Sequence, residues 1–308
     1  MRILYVARHD AGQNDDEGAI AYALEQLGHE VVKVQETGLS LKSVSLPDNE
    51  LMIPKYDFCL FHKLHNMDFF QWARGVKIPL VFWYFDLVDW PQDLTLSSRC
   101  EARKRWMAEV TPIVDVGFCT DGDWVVRDTT DKLHVLRQGA DERMVGFGEP
   151  WKDYPLPMDV LFVGGVKGCG VRRESFVREL RERYGNRFAH FGSGVYGRAL
   201  ANAVAASKIV VCPDSPVTDR YWSNRVYVMM GFGACVFHPR VEEFVGQGLV
   251  LYDNREHLFG LLEGHLDSKN IQYLQWHRTE NLKQVKEKYL YRHRIEEMLN
   301  ILKNHGIG

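Results

Sequence analysis

The stretch CPDSPVTDRYWSNRVYVMMGFGACVF, residues 212–237, reads as a polar loop, a short helix, a glycine turn and an apolar strand. The polar side chains precede the helix, and two glycines end its apolar body at Val226–Met230. The first turn of a helix has unpaired backbone N–H groups and a partial positive charge, and Arg220 and Arg225 stand beside this one. The pattern therefore fits a site for a phosphorylated ligand, and it equally fits an ordinary capped helix of an α/β fold.

The rest of the chain repeats this alternation of strands and helices. Apolar runs such as RILYVA (2–7), PLVFWYF (79–85) and KIVVCP (208–213) are each followed by a polar loop and a helical pattern. Such an order predicts βαβ units with parallel strands and right-handed connections. The segment GFGEPWKDYPLP (146–157) interrupts the order with three prolines. We therefore predict an α/β protein of two Rossmann-like domains facing a central cleft, over residues 1–150 and 151–308.

Composition and charge limit the class of partner. Residues 1–150 hold 16 Lys and Arg against 24 Asp and Glu, whereas the remainder holds 22 against 17. The basic second half fits an anionic ligand, and the acidic first half does not favour nucleic acid as the main partner. One basic cluster, Arg99–Arg105, lies on a predicted helix and reads as a solvated face. The N-terminal strand, the lack of a signal peptide and the lack of an apolar run of 18 residues predict a soluble, cytoplasmic protein without a membrane span.

Cysteine and histidine spacing gives no metal site. The six cysteines are scattered without a CxxC pair, which argues against a zinc site and a disulfide framework and fits a reducing compartment. His62 and His65 have HxxH spacing, but without a third ligand this spacing is more typical of a polar loop. We expect no bound metal.

A second glycine-rich turn, FVGGVKGCGVRRES (162–175), lies between a predicted strand and helix. Glycines let the backbone approach a phosphate, and Lys167, Arg172 and Arg173 add charge. The spacing is neither the P-loop pattern nor GxGxxG, so an NTPase or a Rossmann oxidoreductase is disfavoured. The turn should lie at the same sheet edge as the loop that precedes Arg225, and together they favour a phosphate site.

The second half of the chain resembles the C-terminal domain of GT-B glycosyltransferases, in particular the spore-maturation (CgeB-like) and group 1 type. The segments that carry the resemblance are FVGG…RRESFVREL, the FGSG turn at 191–194, SNRVYVMMGFGACVF, GLVLYDNREHL and the terminal YLYRHRIEEML helix. It covers residues 155–303 well, whereas residues 1–150 match only generally. The resemblance also implies that the final helix crosses back to pack on the first domain.

The resemblance implies a nucleotide-sugar donor, with a UDP-sugar favoured, in the C-terminal domain. Gly164 and Gly165 would face the diphosphate, and Arg172 or Arg173, together with Arg225, would neutralise it. The remaining donor-side candidates are Lys167, Ser193, Gly194, Asp219, Ser223 and Asn224. Where the family pattern has a Glu that holds the ribose, this chain has Tyr227, so either Asp219 or Asp214 substitutes for it or the ribose is held differently.

The acceptor and the catalytic base would come from the first half. Asp86, at a strand end, is the first candidate for the base, and Asp10, in the loop after the first strand, is the second. We expect a metal-independent hexosyl- or pentosyltransferase that acts on an acceptor hydroxyl of a glycan, a small molecule, a protein or a hydroxymethylated base in phage-type DNA. The alternative is a non-catalytic protein of the same fold that has lost donor-site function, which the residue at position 227 motivates.

Overall fold

The structure, a computed structural model of the 308-residue chain, describes residues 1–9, 16–35, 56–62, 67–75, 77–90, 97–147, 158–166, 171–192 and 194–308. The strands are β1 (Arg2–Ala7), β2 (Glu30–Gln35), β3 (Phe58–Phe61), β4 (Leu80–Tyr84), β5 (Val116–Cys119), β6 (Leu133–Val135), β7 (Met158–Val163), β8 (Phe188–Phe191), β9 (Ser207–Val211), β10 (Val236–Pro239) and β11 (Val250–Tyr252). The helices are α1 (Asp16–Gln26), α2 (Met67–Gly75), α3 (Ser97–Val110), α4 (Gly122–Val125), α5 (Val171–Tyr184), α6 (Gly197–Ala205), α7 (Arg225–Gly231), α8 (Arg255–Leu266), α9 (Ile271–Gln284) and α10 (Tyr291–Asn304). Among the described residues, no helix has the length and apolar character needed to cross a bilayer.

The chain divides into two compact units. Unit 1 comprises residues 1–89, 99–138 and 291–308, and unit 2 comprises residues 90–98 and 139–290. The divisions therefore fall after Gln138 and after Leu290, whereas the sequence places one division after residue 150 and assigns the terminal helices to the second domain. Of the proline-rich segment that suggested this division, residues 148–157 lie outside the described residues.

Unit 1 contains a parallel sheet in the order β2-β1-β3-β4-β5-β6. Its central strands are buried on both faces, which explains their continuous apolar sequences. Because side chains alternate along a strand, Ile3 and Tyr5 pack with α1 and α10, whereas Leu4 and Val6 pack with α2 and α3. Helix α10 also packs against α1, as the resemblance implied for the final helix.

Unit 2 contains a second parallel sheet, in the order β11-β10-β9-β7-β8. Val160 and Phe162 of β7 face α5 and α8, whereas Leu161 and Val163 face α6 and α7. Between β10 and β11 a single 3₁₀ turn forms, at Glu242–Phe244, and Gly246 follows it with a positive φ of 78°.

Candidate functional site

The topology of unit 2 places a crevice at one point of its sheet. Strand β7 lies between β8, which follows it in the chain, and β9, so the chain changes direction there. The helices after β7 and β9, α5 and α7, consequently lie on opposite faces of the sheet. In open α/β sheets such a switch point leaves a crevice at the carboxyl ends of the strands, where ligands bind. The two loops that border it are the ones that the sequence predicts for a phosphate.

Gly164, directly after β7, forms the floor of this crevice. Its N–H donates to the carbonyl oxygen of Phe191 (2.8 Å), and its own carbonyl accepts a hydrogen bond from His190 Nε2 (2.9 Å). The φ angle of 146° lies where glycine is favoured, and a Cβ added here would lie 2.7 Å from Arg225 Nη1. Only glycine therefore lets the Arg225 guanidinium lie directly against this turn.

Arg225 begins α7 and brings a positive charge to the glycine turn. The hydroxyl of Ser223 accepts a hydrogen bond from the Arg225 N–H at 3.4 Å, while Asn224 precedes the helix in helical conformation without capping it. Burial raises the pKa of the Cys212 thiol to about 12, and the charges of Arg225 and Arg173 oppose this rise. Both guanidinium groups therefore lie close enough to Cys212, just after β9, for their charges to reach its thiol. The sequence predicts that the two loops share this edge of the sheet.

Arg173 connects the two loops that border the crevice. Its Nε and Nη2 donate to the carbonyl oxygen of Ser215 at 3.2 and 3.0 Å, and Nη1 donates to the carbonyl oxygen of Gly165 at 3.3 Å. Its hydrogen bonds therefore hold loop backbone, whereas Arg172 is exposed on the first turn of α5. Of the arginines proposed for a diphosphate, Arg173 holds the two loops together through hydrogen bonds, and Arg225 contacts Gly164.

The two aspartates suggested as substitutes for the family's glutamate are placed differently. Asp214 pairs with Arg255 (2.9 Å), which also binds Glu179 (2.8 Å) and so joins the loop after β9 to α5 and α8. Asp219 is exposed on the loop before α7. Asp214 therefore serves a structural ion-pair cluster.

Tyr227 is buried, with 1% of its surface exposed. Its hydroxyl accepts a hydrogen bond from Trp222 Nε1 (3.0 Å) and donates to Glu243 Oε1 (3.1 Å), and its ring stacks on Tyr289 with a centroid separation of 4.8 Å. Helix packing therefore turns the side chain at position 227, where the family pattern has a Glu, into the core of unit 2. The exposed carboxylate that meets it, Glu243, follows β10 and was not predicted.

Three predicted residues, Asp10, Lys167 and Ser193, lie outside the described residues. Gly194, one residue beyond the last of these, is exposed after β8 with a φ of 102°, and a Cβ there would meet nothing within 4 Å.

In unit 1, Asp86 lies just beyond the carboxyl end of β4. Its Oδ2 is 3.4 Å from Arg103 Nη2, and it is about one-third exposed. Buried Asp121, at the end of the neighbouring strand β5, accepts hydrogen bonds from the N–H groups of Val88 (2.9 Å) and Asp89 (3.3 Å). Burial raises the pKa of Asp121, while these hydrogen bonds oppose the rise. Asp121 thus fixes the loop that carries Asp86, and nothing in the sequence singled it out.

His62 is an interior residue of the same sheet edge. Its Nδ1 donates to the carbonyl oxygen of Trp83 (2.8 Å), so its Nε2 accepts the hydrogen bond from the Tyr5 hydroxyl at 2.5 Å. Only 3% of the His62 surface is exposed. These two hydrogen bonds explain the buried position of His62 without a bound metal. His65 lies outside the described residues. Among the described residues, no group of three or more His, Cys, Asp or Glu side chains is arranged to hold a metal.

Comparison with known proteins gives this geometry a context. Residues 172–300, less than half of the chain, match a family described as Glycosyl transferase-like. The structure is similar to that of a glycosyltransferase from Rickettsia africae (TM-score 0.60, 12% identity, 99% of this chain and 98% of that chain). It is also similar to HepE from Anabaena in complex with UDP (TM-score 0.58, 11% identity, 99% and 100%). The chain has the GT-B fold.

A third similar structure belongs to a protein with a different named activity. The UDP-GlcNAc 2-epimerase from Neisseria meningitidis bound to UDP-GlcNAc has a TM-score of 0.50 with 12% identity, over 98% of this chain and 100% of that chain. No curated protein sequence matches the chain significantly. A fold does not define a reaction, but the family match and the GT-B fold together support a glycosyltransferase.

Proposed function

We propose that the chain is a glycosyltransferase that binds a nucleotide-sugar at the switch point of unit 2 and transfers its sugar to an acceptor hydroxyl. The observation that carries the proposal is the Arg225 guanidinium lying against Gly164 between β7 and β9. The family match over residues 172–300, most of which lie in unit 2, and the UDP in the HepE structure support the same assignment.

The donor diphosphate is assigned to the loops after β7 and β9. The glycine turn has no side chain that would exclude a phosphate, and Arg225 supplies charge for the leaving diphosphate. Gly165, Ser223 and Asn224 belong to the loops that border the proposed diphosphate site, and Lys167 and Ser193 stay candidates from the sequence alone. Because Arg225 carries the neutralising charge, transfer is expected to continue in the presence of EDTA.

The hydroxyl groups of the donor are assigned to Glu243. Its carboxylate is exposed, and Tyr227 fixes one of its oxygens, so it is oriented before a ligand arrives. A carboxylate oxygen accepts hydrogen bonds from hydroxyl groups and can engage a vicinal diol. Glu243 therefore takes the role for which the sequence offered Asp214 or Asp219.

The acceptor base is assigned to Asp86, with Asp10 as the second candidate. A carboxylate at a strand end can take the proton of an attacking hydroxyl. Asp86→Asn is expected to lower kcat by roughly 10²–10⁴-fold while leaving donor affinity unchanged. Asp131→Asn is a suitable control, because residue 131 is exposed with a φ of 55°, which Asn tolerates. Equal kcat for Asp86→Asn and wild type would remove Asp86 from this role.

A panel of donors tests the proposal as a whole. UDP-, TDP-, GDP- and ADP-sugars would be incubated with the purified chain, and thermal shift and release of the nucleoside diphosphate would be measured. A shift with one donor, and hydrolysis or transfer from it, is expected. Binding without turnover across a set of acceptors would favour the alternative of a non-catalytic binding protein, and epimerised donor would indicate the other reaction known on this fold. No shift with any donor would overturn the proposal.

A further inference from the structure

A pair of histidines in unit 1 lies apart from every residue assigned above. His134 is in the edge strand β6, and His305 follows α10 directly. Their Nε2 atoms are 3.0 Å apart, and the ring planes stand at 72° with centroids 5.0 Å apart. The two rings thus present their outer nitrogens to one point near the surface.

Both imidazoles are carried by well-anchored elements. Strand β6 is hydrogen-bonded to β5, and α10 is fixed by the buried side chains of Ile295, Met298 and Leu302. The His305 N–H donates to the carbonyl oxygens of Ile301 (3.2 Å) and Leu302 (3.0 Å), which continues the helical turn. The short distance between the two Nε2 atoms is therefore maintained by two well-packed elements.

Two chemistries account for nitrogens at this distance. One ring can donate Nε2–H to the other, or a cation can replace that proton. Two imidazole nitrogens that bind one ion at about 2.0–2.1 Å are separated by roughly 2.9 Å at the right angle of a tetragonal Ni²⁺ or Cu²⁺ site, and by roughly 3.3 Å at the tetrahedral angle of a Zn²⁺ site.

We propose that His134 and His305 form a two-histidine site for a divalent transition-metal ion, with water completing its coordination, that ties the end of α10 to strand β6. Imidazole ligands favour Zn²⁺, Ni²⁺ and Cu²⁺, whereas Mg²⁺ and Ca²⁺ prefer oxygen. The described residues contribute no larger cluster of ligands here, so affinity is moderate. The site stabilises unit 1 and takes no part in the donor chemistry of unit 2.

The test uses the full chain without a histidine tag. Isothermal titration with Ni²⁺ and Zn²⁺ is expected to show one ion bound per chain, and Zn²⁺ is expected to raise Tm. His134→Gln and His305→Gln should each weaken binding by at least roughly tenfold and abolish the Tm shift. Should His134→Gln fail to fold, His305→Gln at its exposed position gives the same test.

His29→Gln is the matched control, because His29 Nδ1 lies 3.3 Å from the N-terminal amine and offers another place for a metal. It is expected to retain binding and the Tm shift. Loss of binding in His29→Gln with retention in His305→Gln would overturn the proposal. So would the absence of binding in wild type at a tenfold excess of metal, which would leave the pair as a simple hydrogen bond.

Discussion

At the scale of single residues, Gly164 has a role that follows from its missing side chain. Gly164→Ala would place Cβ 2.7 Å from Arg225 Nη1 in a backbone conformation that L-residues rarely adopt. The guanidinium would have to move, and we expect donor affinity to fall by about tenfold with one charge-assisted contact weakened. Titration calorimetry with the preferred donor measures this.

The control for that change is Gly260→Ala in α8, where a Cβ would meet nothing within 4 Å. It should leave donor affinity unchanged and stabilise the helix by up to about 1 kcal/mol. Equal donor affinity in both variants would show that Arg225 does not depend on the glycine turn.

His238, at the carboxyl end of β10, predicts a pH dependence of stability. Burial lowers the pKa of His238 to about 4. The unfolded chain takes up this proton near pH 6.5 and the folded chain only near pH 4, so the unfolded state binds more protons between these values. The contribution of His238 to the free energy of unfolding is therefore fully present above pH 6.5. It is lost as the pH falls towards 4, and the total loss is on the order of 3 kcal/mol.

His238→Gln should flatten the free energy of unfolding over that pH range, as measured by urea denaturation at several pH values. If His238→Gln keeps the wild-type slope, another group is responsible for it.

At the scale of elements, α10 completes the hydrophobic core of unit 1. Ile295 is fully buried against the face of the sheet that α1 also covers. Ile295→Ala should lower the free energy of unfolding by about 2–5 kcal/mol. Donor affinity of the folded protein should not change, because the donor residues lie in unit 2. Leu299→Ala, at a half-buried position of the same helix, should cost less, and an equal cost for both would contradict this packing.

The elements also show what the sequence could predict. Buried parallel strands such as β4 are continuous apolar runs, and the carboxyl ends of parallel strands share an edge. The approach of Arg225 to Gly164 was therefore predictable, although these residues are far apart in sequence. The contact between Tyr227 and Glu243 was not, because it depends on how α7 packs against the turn after β10. Neither was the bracing role of Arg173, since a charged side chain at a helix start gives no sign that it binds loop carbonyls.

At the scale of the whole molecule, two parallel α/β units give one chain two sheet edges, each with charged side chains at the carboxyl ends of its strands. In unit 2, the edge combines a glycine floor, Arg225 and the carboxylate of Glu243. In unit 1, the edge presents Asp86 on a loop that Asp121 fixes. A reaction between a donor and an acceptor needs a binding site for each of them. The presence of one such edge in each unit is the basis for the proposed sugar transfer.

The central claim is that a nucleoside diphosphate binds at Arg225 and the Gly164 turn. It is tested most directly by calorimetric titration of UDP, and of the diphosphate of any better donor, into wild type, Arg225→Ala and the control Arg178→Ala. Arg178 is exposed on α5 and pairs only loosely with Glu182 at 3.9 Å. The account predicts that Arg225→Ala weakens binding by roughly 10–100-fold, the worth of a charge-assisted contact, while Arg178→Ala binds like wild type. Wild-type affinity in Arg225→Ala would contradict it.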